Sequence, residues 1–308
     1  MGLCAGPESF RLNSIHLSPF RQPMTARIHA DTDGRVLKQA LIAGIGRVIA
    51  ERDLLNRINV FPVPDGDTGS NLGFTLASVR EALRGMRGNH AGAVFERVAS
   101  EAIDGARGNS GAILAQFLQG FGEVLGTHQR LTLCPLANAA DLGASQARQA
   151  IAEPREGTML SVISAFAASL RQACDQGIDD LRTAFTHALA ASRAALANTP
   201  NQLAVLRKAG VVDAGAQGFL HLLEGIDEYI RSGRAAGAYS RSTAAAEVGV
   251  VASEELAAGE THRWCSECVL SGVAIDRNAV RQALDRLGGS SQVLAGTREK
   301  LRVHMHVD

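Results

Sequence analysis

Apolar residues recur at helical spacing over most of the chain from residue 33 onward. In the first segment they follow one another every three or four positions, which places them on one stripe of a helix that ends near Arg57. Further segments with the same period begin at Ser70 or Asn71, near Ala91, after Gly111, at Pro135, after Thr158, near Asp179 and after Gly215. The pattern therefore predicts eight amphipathic helices, and no strand pattern competes with them before residue 245.

The predicted helices are rich in small residues and are joined by short connections. Small side chains let helices pack closely, and short connections favour antiparallel neighbours. We therefore predict a mainly α fold in which antiparallel helices form a bundle or a closed barrel, followed by a small α+β domain.

Composition divides the chain into four parts. Residues 1–23 carry Pro, Ser and Gly without helical periodicity and are predicted to be a disordered extension, and residues 24–232 form the helical domain. Residues 233–258 are rich in Ala, Gly and Ser and are predicted to be a linker, although a strand could begin at 248–251. The remainder, 259–308, shows strand, helix, strand and strand patterns, which indicate a small and incomplete α+β domain.

Charge and cysteine content exclude some classes of function. Lys and Arg together number 31, as do Asp and Glu, so net charge gives no argument for binding nucleic acid or an anionic membrane surface. The sequence shows no secretory signal and no integral membrane segment. The five cysteines are scattered and odd in number, a usage that fits a reducing cytoplasm.

The segment 58–71 carries the clearest candidate chemistry. Two prolines keep Phe61–Pro64 out of a helix, and Asp65 and Asp67 then flank a glycine that permits a tight turn. Two converging carboxylates form a hard oxygen site of the kind that holds Mg²⁺, with the other positions left to water and substrate phosphates. The hydroxyls, amide and free backbone N–H groups of the next four residues would cradle a phosphate. An ordinary surface turn with a helix cap is the alternative explanation.

Glycine-rich polar segments recur at the starts of four predicted helices, at residues 65–71, 105–111, 156–158 and 213–218. In an up-and-down array the starts of alternate helices lie at the same end, so these segments would meet at one rim. Convergent helix N-termini bind anions because unpaired amides and the positive ends of the helix dipoles point at the ligand. Four routine helix caps are the alternative.

The small domain holds a second candidate site. Cys265 and Cys268 form a C-x2-C pair, and His304 and His306 lie on one face of a strand because side chains alternate along it. The same alternation puts the two cysteines on opposite faces, so one cysteine and both histidines are the more plausible ligands of a zinc ion. A buried cysteine and a solvated pair of histidines at a strand end would explain the same residues without a metal.

Four ordered motifs in this chain resemble the fatty acid kinase A subunit. They are Asn59–Gly69 (NVFPVPDGDTG), Gly105–Gly111 (GARGNSG), Glu156–Thr158 (EGT) and Gly210–Gly215 (GVVDAG), and the resemblance covers about residues 30–308. The N-terminal part is similar to the L-type (DhaL-type) nucleotide domain of dihydroxyacetone kinases. The resemblance implies an eight-helix barrel that binds ATP at one rim, with magnesium ions between the nucleotide phosphates and the acidic turn.

The resemblance also implies roles for individual residues. Asp65 and Asp67 match the metal-binding carboxylates, and Asn59 stands near a position where the dihydroxyacetone kinases carry a third aspartate. The positions that match the nucleotide and phosphate contacts are Thr68, Gly69, Ser70, Asn71, Asn109, Ser110, Gly111, Thr158, Met159, Asp213 and Gly215. The matches to the family's middle domain are Cys265, His304 and His306.

The activity that the resemblance implies is transfer of the ATP γ-phosphoryl group to the carboxylate of a fatty acid held by a DegV-type lipid-binding protein or fused domain, giving an acyl phosphate. A carboxylate is already ionised at neutral pH, so no general base is needed. A homodimer is expected. A dihydroxyacetone-kinase-type L subunit and a nucleotide-binding regulatory module without turnover are the alternatives. Fatty acid kinase A subunits continue well past residue 308, so we expect the chain to be a piece of a longer protein.

Overall fold

The computed structural model describes residues 31–233 and 264–307, and it is mainly helical. The elements of the first range are β1 (Thr32–Asp33), α1 (Gly34–Ala50), α2 (Arg52–Arg57), α3 (Thr68–Gly85), α4 (Ala91–Gly105), α5 (Gly108–Leu125), β2 (Arg130–Leu131), α6 (Leu133–Ala150), α7 (Met159–Asp175), α8 (Leu181–Gln202), α9 (Ala204–Ala209) and α10 (Ala214–Ser232). None of the helices in the two described ranges combines the length and the apolar character needed to cross a membrane. The predicted disordered extension and linker, with the possible strand at 248–251, lie outside the described residues.

The long helices of the first range form a closed antiparallel ring. Successive long helices pack side by side, and α1 packs against both α3 and α10, which closes the ring. The apolar stripes face inward, where aromatic rings fill the centre: Phe95, Phe117, Phe121, Phe166, Phe185 and Phe219. Phe219 is fully buried and meets the ring of Phe117 edge-on, with 5.3 Å between the centroids. The predicted mainly α fold with eight antiparallel helices is confirmed.

Helix boundaries differ from the predictions at several points. The first predicted helix is interrupted at Glu51, whose φ and ψ are −93° and 10°, so that α2 is a separate helix. The second and fourth helices start earlier than predicted, at Thr68 and Gly108, because their glycines lie inside the first turn rather than before it. The helix predicted from about Asp179 is α8, and it continues past Pro200. Proline has no N–H to donate to the Leu196 carbonyl, and the Thr199 hydroxyl donates to that carbonyl instead, at 2.8 Å.

The second described range is a three-stranded antiparallel sheet with one helix. Its elements are β3 (Trp264–Ser271), α11 (Arg277–Arg286), β4 (Ser290–Gly296) and β5 (Lys300–Val307), with the strand order β3–β5–β4. The central strand β5 is almost wholly buried, whereas the edge strand β3 is mostly exposed. The register pairs Cys265 with His306 and Glu267 with His304, so these four residues lie at one end of the sheet.

The small domain is attached to the barrel by buried contacts. Arg302 donates to the carbonyl oxygens of Ile103 and Asp104 at the end of α4, to the second at 2.7 Å. Val293 of β4 forms an isolated bridge with Ile151, and its side chain joins the hydrophobic core of the barrel. These contacts hold the small domain against the barrel end at which α3, α5, α7 and α10 begin.

Cys134 and Cys174 form a disulfide that joins α6 to α7. No pair was predicted among the five cysteines, which are odd in number and scattered along the sequence, and these two are 40 positions apart. They meet because α6 and α7 are antiparallel neighbours, which places the start of one helix beside the end of the other. Cys265 and Cys268 are free.

Candidate functional site

The acidic turn between α2 and α3 holds two carboxylates close together. Gly66 has a φ of +68°, which a residue with a side chain rarely adopts, and this conformation lets Asp65 and Asp67 converge. Asp67 directly precedes α3, yet its side chain makes no capping bond to that helix. Its carboxylate is therefore not used to start the helix.

The two carboxyl groups of the turn repel each other when both are ionised. Burial and the charge of Asp67 raise the pKa of Asp65 to about 6, and the two side chains share a hydrogen bond. Such a pair is more stable with a proton or a cation bound than with both negative charges unneutralised. The oxygen donors and their joint charge fit a divalent cation such as Mg²⁺.

Two asparagines hold the turn in place. The Asn59 amide donates to the Val63 carbonyl at 2.9 Å and accepts from the Thr68 N–H at 3.0 Å. Asn56 accepts from the Ser70 N–H and donates to its hydroxyl, both at 3.0 Å. The expectation that the first turn of α3 offers free backbone amides is therefore wrong for Thr68 and Ser70, since these amides need partners and the asparagines supply them. Asn59 acts first as a brace, and its role as a magnesium ligand stays a prediction.

Gly69 and Asn71 complete the first turn of α3. A Cβ atom at Gly69 would overlap the carbonyl of Arg52, so glycine is needed for α3 to lie this close to α2. The Asn71 N–H bonds to the Asp67 carbonyl at 2.9 Å, and the Asn71 side chain lines a narrow pocket beside the acidic turn. Its amide group lies against Gly108 and so connects the start of α3 with the start of α5.

A cavity of about 760 Å³ lies where four helices begin. Residues from all four glycine-rich segments line it: Thr68, Asn109, Ser110, Thr158, Met159, Asp213 and Gly215. They meet because alternate helices of an antiparallel barrel start at the same end, which brings α3, α5, α7 and α10 together. The volume falls within the range of about 300–1,000 Å³ that small-molecule pockets occupy.

The start of α5 offers an acceptor without a partner. Asn109 Oδ1 is buried and has no hydrogen-bond partner among the described residues. Ser110 is also buried at the cavity wall, and Gly111 lies so close to the Thr75 hydroxyl that a side chain there would overlap it. A buried amide oxygen that lacks a partner marks a place where a ligand or water can bind.

Glu267 of β3 contacts the start of α5 in the barrel, a contact that was not predicted from the sequence. Its Oε1 accepts from the Gly108 N–H at 2.7 Å and lies 3.2 Å from His304 Nδ1, while its Oε2 pairs with Arg107 at 3.3 Å. Burial alone would raise the pKa of Glu267, but the hydrogen bonds from His304, Gly108 and Arg107 lower it to about 2. The carboxylate thus binds at the positive end of α5. A single glutamate on an edge strand gives no sequence signal for such a contact.

The starts of α7 and α10 meet at Asp213. Its Oδ1 accepts from the Ala216 N–H at 2.7 Å and so caps α10, and it also bonds to the backbone amides of Met159 and Gly215. Thr158 caps α7. Burial raises the pKa of Asp213 to about 6 in spite of these bonds. Helix capping is therefore one role of Thr158 and Asp213, and both also line the cavity.

Three side chains of the small domain converge beside the acidic turn. The candidate ligand atoms of Cys265, His304 and His306 all lie within 4.8 Å of one another. They line the same narrow pocket, of about 30 Å³, as Asp65 and Asp67. One thiol and two imidazoles form a donor set that suits zinc rather than magnesium.

The two candidate metal sites influence each other electrostatically. Burial and the negative charges of Glu267, Asp67 and Asp65 raise the pKa of the Cys265 thiol. Because thiolate is the form that binds metal, a cation in either site would offset this effect. Cys268 pairs with Val303 farther along β3 and does not belong to the three-residue group.

The small domain also forms one wall of the large cavity. Asp285 at the end of α11 and residues 288–293, which lead into β4, line it together with the four helix starts. Ser290 Oγ and Gln292 Oε1 are buried in this segment and have no hydrogen-bond partner within the described ranges. The sequence predicts residues 291–294 only as a strand, because their place beside the nucleotide motifs depends on how the two domains dock.

The family is identified by comparison with known proteins. Residues 62–228, more than half of the chain, match the family described as DAK2 domain. The chain belongs to the DAK2 domain family. In this DAK2 protein the matched range begins just before the acidic turn and ends inside α10, so it includes all four helix starts around the cavity.

Relatives with similar sequences are longer than this chain. An uncharacterized protein of Staphylococcus epidermidis is 29% identical over 287 residues, which make up 90% of this chain and 51% of the relative. An uncharacterized protein of Staphylococcus haemolyticus is 30% identical over 288 residues, with the same two coverages. The chain thus spans about half the length of the curated relatives that it matches.

Two solved structures are weakly similar to this DAK2 protein. The dihydroxyacetone kinase from C. freundii in complex with AMP-PNP and Mg²⁺ is 17% identical with a TM-score of 0.48, and the match covers 72% of this chain and 38% of that one. Its native form is 19% identical with a TM-score of 0.45 over the same shares. At these scores the likeness is weak, and the fold and the site stand without it.

Proposed function

We propose that this DAK2 protein is an ATP- and Mg²⁺-dependent kinase of the fatty acid kinase A type. The observation that carries the proposal is the meeting of a paired acidic turn with four helix starts around a cavity of nucleotide size. Asp65 and Asp67 would hold Mg²⁺, which neutralises the charge that develops on a transferred phosphoryl group. The positive dipole ends of the four helices would stabilise the remaining phosphate charge.

The acceptor in this proposal is the carboxylate of a fatty acid. A carboxylate oxygen forms a bond to the γ-phosphorus while the bond from that phosphorus to the bridging oxygen of ADP breaks, which gives an acyl phosphate and ADP. The acceptor is already ionised at neutral pH, so no proton has to be removed. The protein then contributes positioning and charge stabilisation rather than a general base.

A DegV-type fatty-acid-binding protein or fused domain presents the acceptor in this proposal. Support comes from the resemblance of the four motifs, each of which contributes residues to the lining of the cavity. Because the chain spans about half the length of its curated relatives, the surface that docks this partner need not lie on it.

The group of Cys265, His304 and His306 is proposed to bind zinc. Three protein ligands leave one coordination position for water or for an acceptor carboxylate. The contact between Glu267 and His304 Nδ1, at 3.2 Å, would fix the orientation of that ring, as carboxylates commonly do around zinc-binding histidines.

A phosphoryl-transfer assay tests the proposed reaction. The chain is incubated with ATP, Mg²⁺ and a lipid-loaded DegV-type protein, and the acyl phosphate is trapped as a hydroxamate by hydroxylamine. We expect hydroxamate with this acceptor and no phosphorylation of dihydroxyacetone supplied with its carrier subunit. Phosphorylation of dihydroxyacetone alone would replace the proposed acceptor. Nucleotide binding without transfer to either acceptor, in a full-length relative as well, would support a regulatory module.

A further inference from the structure

The large cavity and the narrow pocket lie side by side, and their shared lining shows how a ligand would be oriented. Pro62, Thr68, Asn109 and Ser110 line both spaces. The acidic turn lines only the narrow pocket, whereas residues 288–293 line only the large cavity. A nucleotide whose phosphates lie at the acidic turn would extend its nucleoside half into the large cavity, and the segment 288–293 of the small domain forms one wall of that cavity.

Gln292 carries a buried acceptor in the segment that lines the large cavity. Its side chain is 7% exposed, and its Nε2 donates to the Gly289 carbonyl at 3.1 Å. This bond determines which way the carboxamide points and leaves Oε1 as the group without a partner among the described residues. The hydroxyl of Ser290, two positions earlier in the chain, is also buried and has no partner in the part of the chain that the structure describes. A buried acceptor without a partner is destabilising, and a hydrogen bond from a ligand donor would remove that cost.

The segment is held in an unusual backbone conformation. Ser291 has a φ of +52° at an irregularity in the strand register between Ser290 and Val293. Its neighbours are tied to the barrel, because the Ala152 N–H donates to the Gln292 carbonyl at 3.2 Å and Val293 bridges to Ile151. Non-glycine residues with positive φ are costly and concentrate at binding sites, where the surrounding structure holds them in place.

From these observations we infer that Gln292, assisted by Ser290, binds the nucleoside half of the nucleotide by accepting a hydrogen bond from its base or ribose. The inference rests on the proposed function, because it takes the cavity ligand to be a nucleotide. The donors of adenosine are the amino group of adenine and the ribose hydroxyls. Hypoxanthine carries an acceptor oxygen in place of the amino group, so ITP lacks the amino donor of adenine and donates from N1 instead, while 2′-deoxy-ATP and 3′-deoxy-ATP each lack one ribose donor.

Calorimetric titration of the full chain in Mg²⁺ tests the inference with ATP, ITP, the two deoxy-ATPs and inorganic tripolyphosphate. We expect ATP to bind at least tenfold more tightly than tripolyphosphate, and one of the three analogues to lose about tenfold relative to ATP, which identifies the donor. Gln292→Met keeps the side-chain volume and should weaken ATP binding about tenfold while leaving tripolyphosphate binding unchanged. Ser290→Ala should show a smaller effect in the same direction. Gln176→Met, at the exposed end of α7, is the matched control and should change neither affinity.

Equal affinities of the wild-type chain for ATP and its three analogues would overturn the inference, and this comparison requires no variant. Equal losses of ATP and tripolyphosphate binding in a folded Gln292→Met variant would also overturn it. If the wild-type chain binds tripolyphosphate but gains nothing from the nucleoside, the phosphate site stands and the inference fails. If the wild-type chain binds neither ligand, the proposed function itself fails.

Discussion

The direction of the pKa shift separates the carboxyl groups of the candidate site from those that form ion pairs and hydrogen bonds within the structure. Asp65 and Asp213 have pKa values raised to about 6, the first by burial and repulsion from Asp67 and the second by burial. Glu224 and Glu267 have pKa values lowered to about 2, because hydrogen bonds and nearby cations outweigh the effect of burial. Carboxyl groups with raised pKa values, which have too few cations and donors nearby to stabilise their ionised form, are typical of sites where a cation or ligand binds.

Removing either carboxylate of the acidic turn should abolish Mg²⁺-dependent nucleotide binding with little loss of stability. Asp65→Asn and Asp67→Asn each remove a hard anionic ligand and also relieve the repulsion that raises the pKa of Asp65. Calorimetry with Mg-ATP measures the affinity, and a thermal melt checks the fold. Asp53→Asn, on the exposed side of α2, is the control. Unchanged Mg-ATP affinity in both variants would show that the metal assignment is wrong.

Asp213→Asn should change how stability depends on pH. The pKa of Asp213 rises from its ordinary 3.8 to about 6 on folding, so the folded state binds this proton more tightly. Its contribution to stability is fully present below pH 3.8 and is lost as the pH rises through about 6. The free energy of unfolding of wild type minus that of the variant should therefore fall by up to roughly 3 kcal/mol over this window.

Urea denaturation of both proteins at pH 4, 5, 6 and 7 measures this difference. Asp179→Asn, between α7 and α8, controls for the loss of one surface charge. A difference between wild type and Asp213→Asn that stays constant over the four pH values would show that burial does not raise the pKa of Asp213.

Metal analysis of cysteine and histidine variants tests the proposed zinc site. The purified chain should carry about one zinc ion, which Cys265→Ser and His304→Ala lose. Cys268→Ser is the matched control, because Cys268 is a free cysteine three residues away that lies outside the three-residue group. Absence of zinc from the parent protein, or its loss only in Cys268→Ser, would reject this arrangement.

Close contact between the first and last helices of the barrel depends on two glycines. A Cβ atom on Gly44 of α1 would lie 2.5 Å from the Leu222 carbonyl of α10, and one on Gly225 would lie 2.7 Å from the Gly44 Cα. Since α1 and α10 close the ring, a side chain at either position would separate the helices where the barrel closes.

Gly44→Ala should therefore destabilise the protein by roughly 1–3 kcal/mol, the usual cost of overpacking. Gly46→Ala is the control on the same helix: a Cβ atom there meets nothing within 4 Å, and alanine should stabilise the helix by up to about 1 kcal/mol. Chemical denaturation measures both changes. Equal effects of the two substitutions would mean that the close contact between α1 and α10 does not determine stability.

The long helices could be predicted from the sequence because each carries an apolar stripe over several turns. Shorter or locally determined features could not. The six residues of α9 are too few to show a period, although Leu206 is buried. The backbone N–H groups at the helix starts Thr68 and Gly108 donate to Asn59 and Glu267, and Glu267 belongs to the other domain. The convergence of four glycine-rich segments could be predicted, since it follows from the up-and-down order of the helices.

The arrangement of the two domains could not be predicted from the sequence. The sequence placed the acidic turn and the Cys–His group in different domains and gave no reason for them to meet. In the structure they line one narrow pocket, because Glu267 binds at the start of α5 and Arg302 binds the end of α4. Single side chains that cross between domains leave no periodic pattern, so the metal, phosphate and nucleoside regions could be predicted only as separate parts.

A truncation after residue 232 tests how far the barrel depends on the small domain. We expect residues 24–232 to fold as a soluble helical unit, because the main hydrophobic core consists of barrel residues except for Val293 and Ala295. The melting temperature should fall, since the truncation exposes Gln116, which is 1% exposed, and removes the Arg302 bonds to α4. Circular dichroism and thermal melts measure these changes.

Binding of tripolyphosphate and of ATP by the truncated chain distinguishes a loss of folding from a loss of nucleoside binding. Mg-tripolyphosphate should still bind, because the acidic turn and the four helix starts all belong to residues 24–232. ATP should protect the truncated chain against heat less than it protects the full chain, because the wall that contains Gln292 is gone. The full chain with Arg302→Met is the control for weakened docking. A truncated chain with molten near-UV signals and no protection by either ligand would show that the barrel is not an independent domain.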